Sequence, residues 1–207
     1  MIDAIARSVE SVDENTVAVF AFIGHGQEKN GVHYLMPQEL PEPKYLQQRA
    51  IGQKETLEQI EAKAPVLTMA ILDCCRETVT GVRGVLTATK GLSGLAGPAG
   101  LLVMYATGEG GYAKDYSSAG SRNSVFRESL LEHLGTPGLD LDKLRKNVTK
   151  SVMQKTKGVQ RPESHDTTED TIFLVASEGD QTVADAMGAA RFERNLNLTQ
   201  PQPQRMS

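Results

Sequence analysis

Spaced cysteines, an excess of basic residues and long apolar runs are all missing from this 207-residue chain, and each absence removes a class of function. The only cysteines, Cys74 and Cys75, are adjacent. That spacing serves poorly as a disulfide framework and suits a reducing compartment. Net charge is −4, from 22 Lys and Arg against 26 Asp and Glu, so no basic field exists to hold a nucleic-acid backbone or an anionic membrane. The longest apolar runs, Val17 to Ile23 and Leu101 to Ala106, are far shorter than the roughly 20 residues that cross a bilayer. The opening stretch, MIDAIARSVESVDEN, lacks the basic and apolar regions and the small-residue cleavage site of a secretory signal, so a cytoplasmic location is expected. Internal repeats are absent, and neither C-x-x-C nor H-E-x-x-H spacing occurs, so no metal site is expected.

What is present fits one compact domain. A hydrophobic content of 39% over 207 residues is enough for one buried core. Ile2, Ile5, Ala6 and Val9 repeat at helical spacing, and Thr16 to Ile23 reads as a strand covered on both faces and stopped by Gly24. Leu57, Ile60 and Ala64 mark a helix closed by Pro65, and Val66 to Leu72 is a second buried strand. Leu101 to Ala106 is a third. Helices are expected over Ser124 to Leu134 and around Leu141, Leu144, Val148 and Val152, with a last strand at Thr171 to Ala176. Two long polar, Gly-rich loops, 73–100 and 107–123, are long enough to be functional or processed. The expected organisation is one α/β domain over residues 1–179 and a flexible tail over 180–207.

Strands alternating with helices imply a mainly parallel sheet, whose active sites form outside the carboxyl ends of the strands. Gly24-His25-Gly26 leaves the first strand there, and Asp73-Cys74-Cys75-Arg76 leaves the second. A thiol is a useful nucleophile only as thiolate, and an imidazole beside it can take its proton. His25 and Cys75 fit that pairing. Gly26, lacking Cβ, lets its backbone N–H approach a substrate carbonyl, and with the Cys75 N–H it would form an oxyanion hole. Alone, a strand-end cysteine reads as a small hydrophobe and a histidine between glycines as a turn residue; the conjunction is what points to catalysis.

The segments FIGHGQEKNGVHYLMP and MAILDCCRE resemble the histidine and cysteine motifs of the caspase, metacaspase and paracaspase superfamily, with His25 and Cys75 separated by 50 residues, the interval of the caspase signature. KGLSGLAGPAGLLVMYATGEGGYAKD, NSVFRESLLEHLGTPGLDLDKLRKNV and TKGVQRP resemble the later half of bacterial caspase homologues, so the likeness runs from about Thr16 to Ala176. It implies a caspase-like fold, thiol-protease activity and a part in programmed cell death. By the same likeness the nucleophile closes an Asp-x-Cys motif, which makes it Cys75, with His25 as general base and acid. Metacaspases and paracaspases place Asp where caspases have Gln two residues before the nucleophile. Asp73 therefore implies cleavage after Arg, or Lys, of protein or peptide substrates, since a carboxylate can bind guanidinium bidentately. Asp115 is a weaker candidate for a second acidic wall. Arg83 and Lys90 are candidate self-cleavage points.

Two departures from the family pattern bear on activity. The aspartates that bind calcium in some metacaspases have no match here: after Cys75, RETVTGVRGVLTATK offers only Glu77, so no cofactor is expected and calcium activation has no recognisable site. The two strands that usually open the fold are missing, which leaves Thr16 to Ile23 at an edge. Another chain or segment is expected to supply them, or the chain is a fragment or processed form. A catalytically silent caspase-like scaffold is the alternative reading.

Overall fold

The computed structural model describes residues 2–29, 32–36, 50–78, 100–114, 121–169 and 171–177. Its centre is a four-stranded sheet ordered β1 (Val17–Ile23), β5 (Leu67–Asp73), β7 (Leu101–Tyr105) and β8 (Glu163–Asp166), the first three parallel and β8 antiparallel to β7. A smaller sheet follows the order β4 (Ile51–Gly52), β3 (Val32–Met36), β2 (His25–Lys29) and β6 (Glu77–Thr78). The helices are α1 (Ile2–Glu10), α2 (Gln53–Glu61), α3 (Val125–Leu134) and α4 (Leu141–Lys155). None of the described helices is long and apolar enough to cross a membrane.

The strand period divides the core. Leu67 and Met69 of β5 and Leu102 and Met104 of β7 face one side, where Phe126, Leu130, Leu144 and Val148 of α3 and α4 cover them. Ala70 and Leu72 of β5 and Leu101, Val103 and Tyr105 of β7 face the other, packed with Leu57 and Ile60 of α2 and Leu35 of β3. Side chains alternate across a strand, so a strand apolar at every position needs cover on both faces. Each fully buried Leu adds about 1.5–3 kcal/mol. Ser124 caps α3 and Asp140 caps α4: their side chains accept from the N–H groups of Arg127 and Lys143, satisfying donors a helix leaves open.

Expected and observed strands agree in the parallel part and differ at its edge. Thr171 to Ala176 is not a strand of the sheet; its one ladder contact is an isolated bridge of Phe173 to Asp140. Ile172 and Leu174 instead pack into the core under α4, while Leu141 N donates to Ile172 O and Gly138 N to Val175 O. Its apolar run thus reflects burial of an irregular segment. The fourth strand is the polar Glu163–Asp166. At the opposite edge, β1 has β5 as its only paired strand among the described residues, and Val19 and Ile23 are 59% and 54% exposed. The tail expected over 180–207 lies outside the described residues.

Candidate active site

The chain passes from the large sheet to the small one through a single residue, Gly24, whose N–H donates to the carbonyl of Asp73. Ile23, the last residue of β1, pairs in parallel register with Asp73, the last of β5. His25 and Cys75 each stand two residues beyond that pair, so register alone brings them level at the carboxyl edge. Both line a cavity of about 300 Å³ together with Asp73, Ala113 and Ser124. His25 is exposed and Cys75 half-buried.

The two cysteines have opposite surroundings. Ala113 N donates to Cys75 Sγ at 3.4 Å, and the Cys75 thiol donates to Ala113 O at 3.8 Å, so the backbone of one residue meets the sulfur as donor and as acceptor. Cys74 points to the other face, into the core with Leu72 and Tyr105. Burial, followed by the like charges of Asp73 and Cys75, pushes its thiol up to about 12, so Cys74 stays protonated.

Gly26 is buried where β2 meets the cysteine loop. A Cβ there would lie 2.5 Å from Cys75 O, 2.7 Å from His33 Nε2 and 2.8 Å from Cys74 Sγ. Only glycine lets the two backbones approach so closely.

Asp73 is 6% exposed, and its Oδ2 accepts from Ser124 Oγ at 2.6 Å. The same hydroxyl caps α3 by accepting from Arg127 N at 2.9 Å, so the carboxylate is held at a helix N-terminus, where negative charge is favoured. Lys114, Arg122 and Arg127 line the cavity as well. Among its described lining residues, three basic side chains thus face one acidic one. Asp115, Arg83 and Lys90 lie outside the described residues.

Arg76, next to Cys75, is 1% exposed. It pairs with Glu163 at 2.9 Å and Glu109 at 3.6 Å, and its guanidinium lies 4.3 Å from the Tyr105 ring centroid. Among the described residues no group of three or more His, Cys, Asp or Glu is placed to hold a metal ion. The several oxygens that calcium prefers are not assembled among those residues.

The sequence reading passed over Ala113, Ser124 and Arg76 as site residues. Ala113 acts through its backbone, which leaves no residue-type signal. Ser124 carried one usable sign, a serine at the start of a helical stripe, but nothing in the sequence tied it to Asp73.

The sequence model of the family described as "Caspase domain" matches residues 1–183. Comparison with curated proteins gives no match. Among solved structures, the chain is similar to caspase-1 from Spodoptera frugiperda, at 16% identity and a TM-score of 0.47, over 84% of this chain and 71% of that one. With the family match extending over most of its length, the chain belongs to the caspase domain family of cysteine peptidases.

Proposed function

We propose that the protein is a cysteine endopeptidase of the metacaspase type, with Cys75 as nucleophile and His25 as its proton carrier. The observation that carries this reading is the pairing of Ile23 with Asp73, which sets His25 and Cys75 at one level of the sheet edge and on one cavity. In the proposed cycle His25 takes the Cys75 proton and Sγ attacks the scissile carbonyl. The N–H groups of Gly26 and Cys75 hold the oxyanion. The imidazolium then protonates the leaving amine, giving a thioester. Water, deprotonated by His25, attacks that thioester, releasing the acid and returning the thiol. The N–H of Ala113 supports the thiolate stage. The cycle uses protein groups and water.

Asp73 is the proposed determinant of cleavage after Arg or Lys: a carboxylate fixed by Ser124 at the cavity wall presents a negative charge to a substrate guanidinium or ammonium group. One observation favours a second reading. Lys114, Arg122 and Arg127 on the same cavity favour an acidic residue before the scissile bond. Hydrolysis of a fluorogenic peptide ending in Arg, against one ending in Asp, by wild type and Cys75→Ala separates them. Turnover of the Arg peptide alone, lost in Cys75→Ala and weakened in Asp73→Ala, supports the first reading, and turnover of the Asp peptide alone supports the second. Turnover of neither, under reducing conditions with and without calcium, leaves a silent scaffold. If Arg is preferred, mass spectrometry of the active protein is expected to find self-cleavage after Arg83 or Lys90, and intact chains after prolonged incubation would remove that expectation.

A further inference from the structure

Three buried polar side chains outside the proposed catalytic cycle form a row that ends on the nucleophile's own peptide. Gln53 Nε2 lies 2.6 Å from the Tyr105 hydroxyl, Gln53 Oε1 lies 2.8 Å from His33 Nδ1, and His33 Nε2 lies 3.2 Å from the carbonyl oxygen of Cys75. They come from β7, the start of α2 and β3, so the row ties both sheets and a helix to one peptide group. The other end of that group is held too, because Arg76 N donates to Gly111 O at 3.1 Å.

A row of this kind has to place its protons consistently, and only one arrangement of a neutral imidazole does so. The Cys75 carbonyl can only accept, so the proton belongs on His33 Nε2. Nδ1 is then a bare acceptor. Turning the Gln53 amide end for end gives it an N–H to accept, and the amide oxygen in turn accepts from the Tyr105 hydroxyl. Each contact of the row then pairs one donor with one acceptor. With the amide in the opposite sense, the unprotonated Nε2 faces the Cys75 carbonyl, lone pair to lone pair, with only the Cys74 thiol 3.8 Å away to relieve it. An imidazolium would satisfy both contacts, but burial and the charge of Arg76 oppose it.

We propose that His33 is a positioning residue for the nucleophile: as a neutral imidazole it donates from Nε2 to the Cys75 carbonyl, and Gln53 and Tyr105 fix that tautomer. It touches no substrate and acts by fixing the peptide that carries Cys75. The role rests on reading Cys75 as the nucleophile; the tautomer does not.

The test is long-range ¹H–¹⁵N correlation on the full chain with ¹⁵N-labelled histidine, the four histidines being told apart with His33→Gln. At neutral pH His33 is expected to show a protonated Nε2 and a bare Nδ1, and an Nδ1–H or imidazolium pattern overturns the proposal. Tyr105→Phe removes the donor that holds the amide, and the Nδ1–H pattern is expected to grow in; an unmoved tautomer also overturns it. Function is read by the rate of Cys75 alkylation with iodoacetamide, which needs no peptide turnover. His33→Phe is expected to slow it about tenfold, the worth of one orienting hydrogen bond, and His33→Gln to restore part of the rate. Wild-type alkylation in folded His33→Phe refutes the positioning role even where peptide hydrolysis stands. Should His33→Phe not fold, the Tyr105→Phe tautomer and its alkylation rate, expected to fall as Nδ1–H grows in, decide. Absence of peptide hydrolysis with the expected tautomer and rates refutes the peptidase reading alone.

Discussion

Two neighbouring cysteines should differ sharply in reactivity. At pH 8 a thiol raised to about 12, as in Cys74, is ionised in about one molecule in ten thousand, whereas an ordinary cysteine is ionised in about one in four. The thiolate population therefore falls about 2,400-fold. A thiolate of higher pKa is the stronger nucleophile, and a Brønsted slope of about 0.45 over about 3.5 units returns about 40-fold. The net is alkylation about 60-fold slower than for the same residue in the unfolded chain, before its burial in the core is counted. The assay takes Cys75→Ser, which keeps only Cys74, and Cys74→Ser, which keeps only Cys75, and follows iodoacetamide addition by intact mass with and without denaturant. Native Cys74→Ser is expected to react readily and native Cys75→Ser at least about 60-fold more slowly than when unfolded. Native Cys74 reacting within a few-fold of its unfolded rate would refute both its placement in the core and the choice of Cys75 as the reactive thiol.

Gly26→Ala places a methyl group 2.5 Å from Cys75 O, a backbone atom that cannot swing aside, so a loss of about 1–3 kcal/mol is expected, read as a lower urea midpoint; unchanged stability would mean that β2 has room there. Arg76→Met removes the guanidinium from Glu163, Glu109 and the Tyr105 ring. Because Glu163 is half-exposed and can regain water, the expected loss is about 1–3 kcal/mol rather than the 3–5 of a wholly buried pair, and chemical denaturation measures it. Burial holds the His33 imidazole below its ordinary 6.5, so below that pH the unfolded chain binds more protons than the native one. Stability present above about 6.5 is then lost as pH falls through the lower native value, and His33→Phe should flatten that part of a stability–pH curve; an equally steep curve would place the acid sensitivity elsewhere.

Which elements could be read from the sequence followed from how evenly apolar they are. The strands β5 and β7 are buried on both faces and carry unbroken apolar runs, so their existence and parallel direction were legible; β1 carries such a run too and was found, but it lies at the edge with Val19 and Ile23 exposed, so the expected cover on both its faces is not there. The small sheet was not: His-Gly-Gln-Glu-Lys in β2 has no apolar residue, and the polar Glu28 and His33 are buried there. Gln53 and the Cys75 carbonyl, partners found only in the fold, make His33 tolerable inside, and no periodicity announces either buried residue. The last strand failed for the mirror reason, with an apolar segment packed without pairing and a polar one, Glu163–Asp166, pairing instead. That His25 and Cys75 stand together at one sheet edge was legible because chemistry, strand ends and spacing agreed. The supporting residues act through a backbone N–H, a helix cap or a buried row, none of which leaves a pattern in one sequence.

The four consecutive residues Asp73, Cys74, Cys75 and Arg76 show why a strand end is a suitable seat for a nucleophile. Asp73 is fixed by Ser124 at the start of α3, Cys74 is packed in the core between the two sheets, and Arg76 is locked against Tyr105 by two carboxylates, Glu109 on a loop and Glu163 on β8. Three of the four therefore have no freedom to give. Only the Cys75 side chain is left half-open, and even its peptide carbonyl meets His33 while the next N–H meets Gly111. A group whose backbone is held at both ends loses little further entropy when it attacks, and orientation settled in advance lowers the barrier without any added contact to substrate. If Cys75 is the nucleophile as proposed, the order of burial along these residues, rather than the cysteine by itself, is what sets it apart from the thiol beside it.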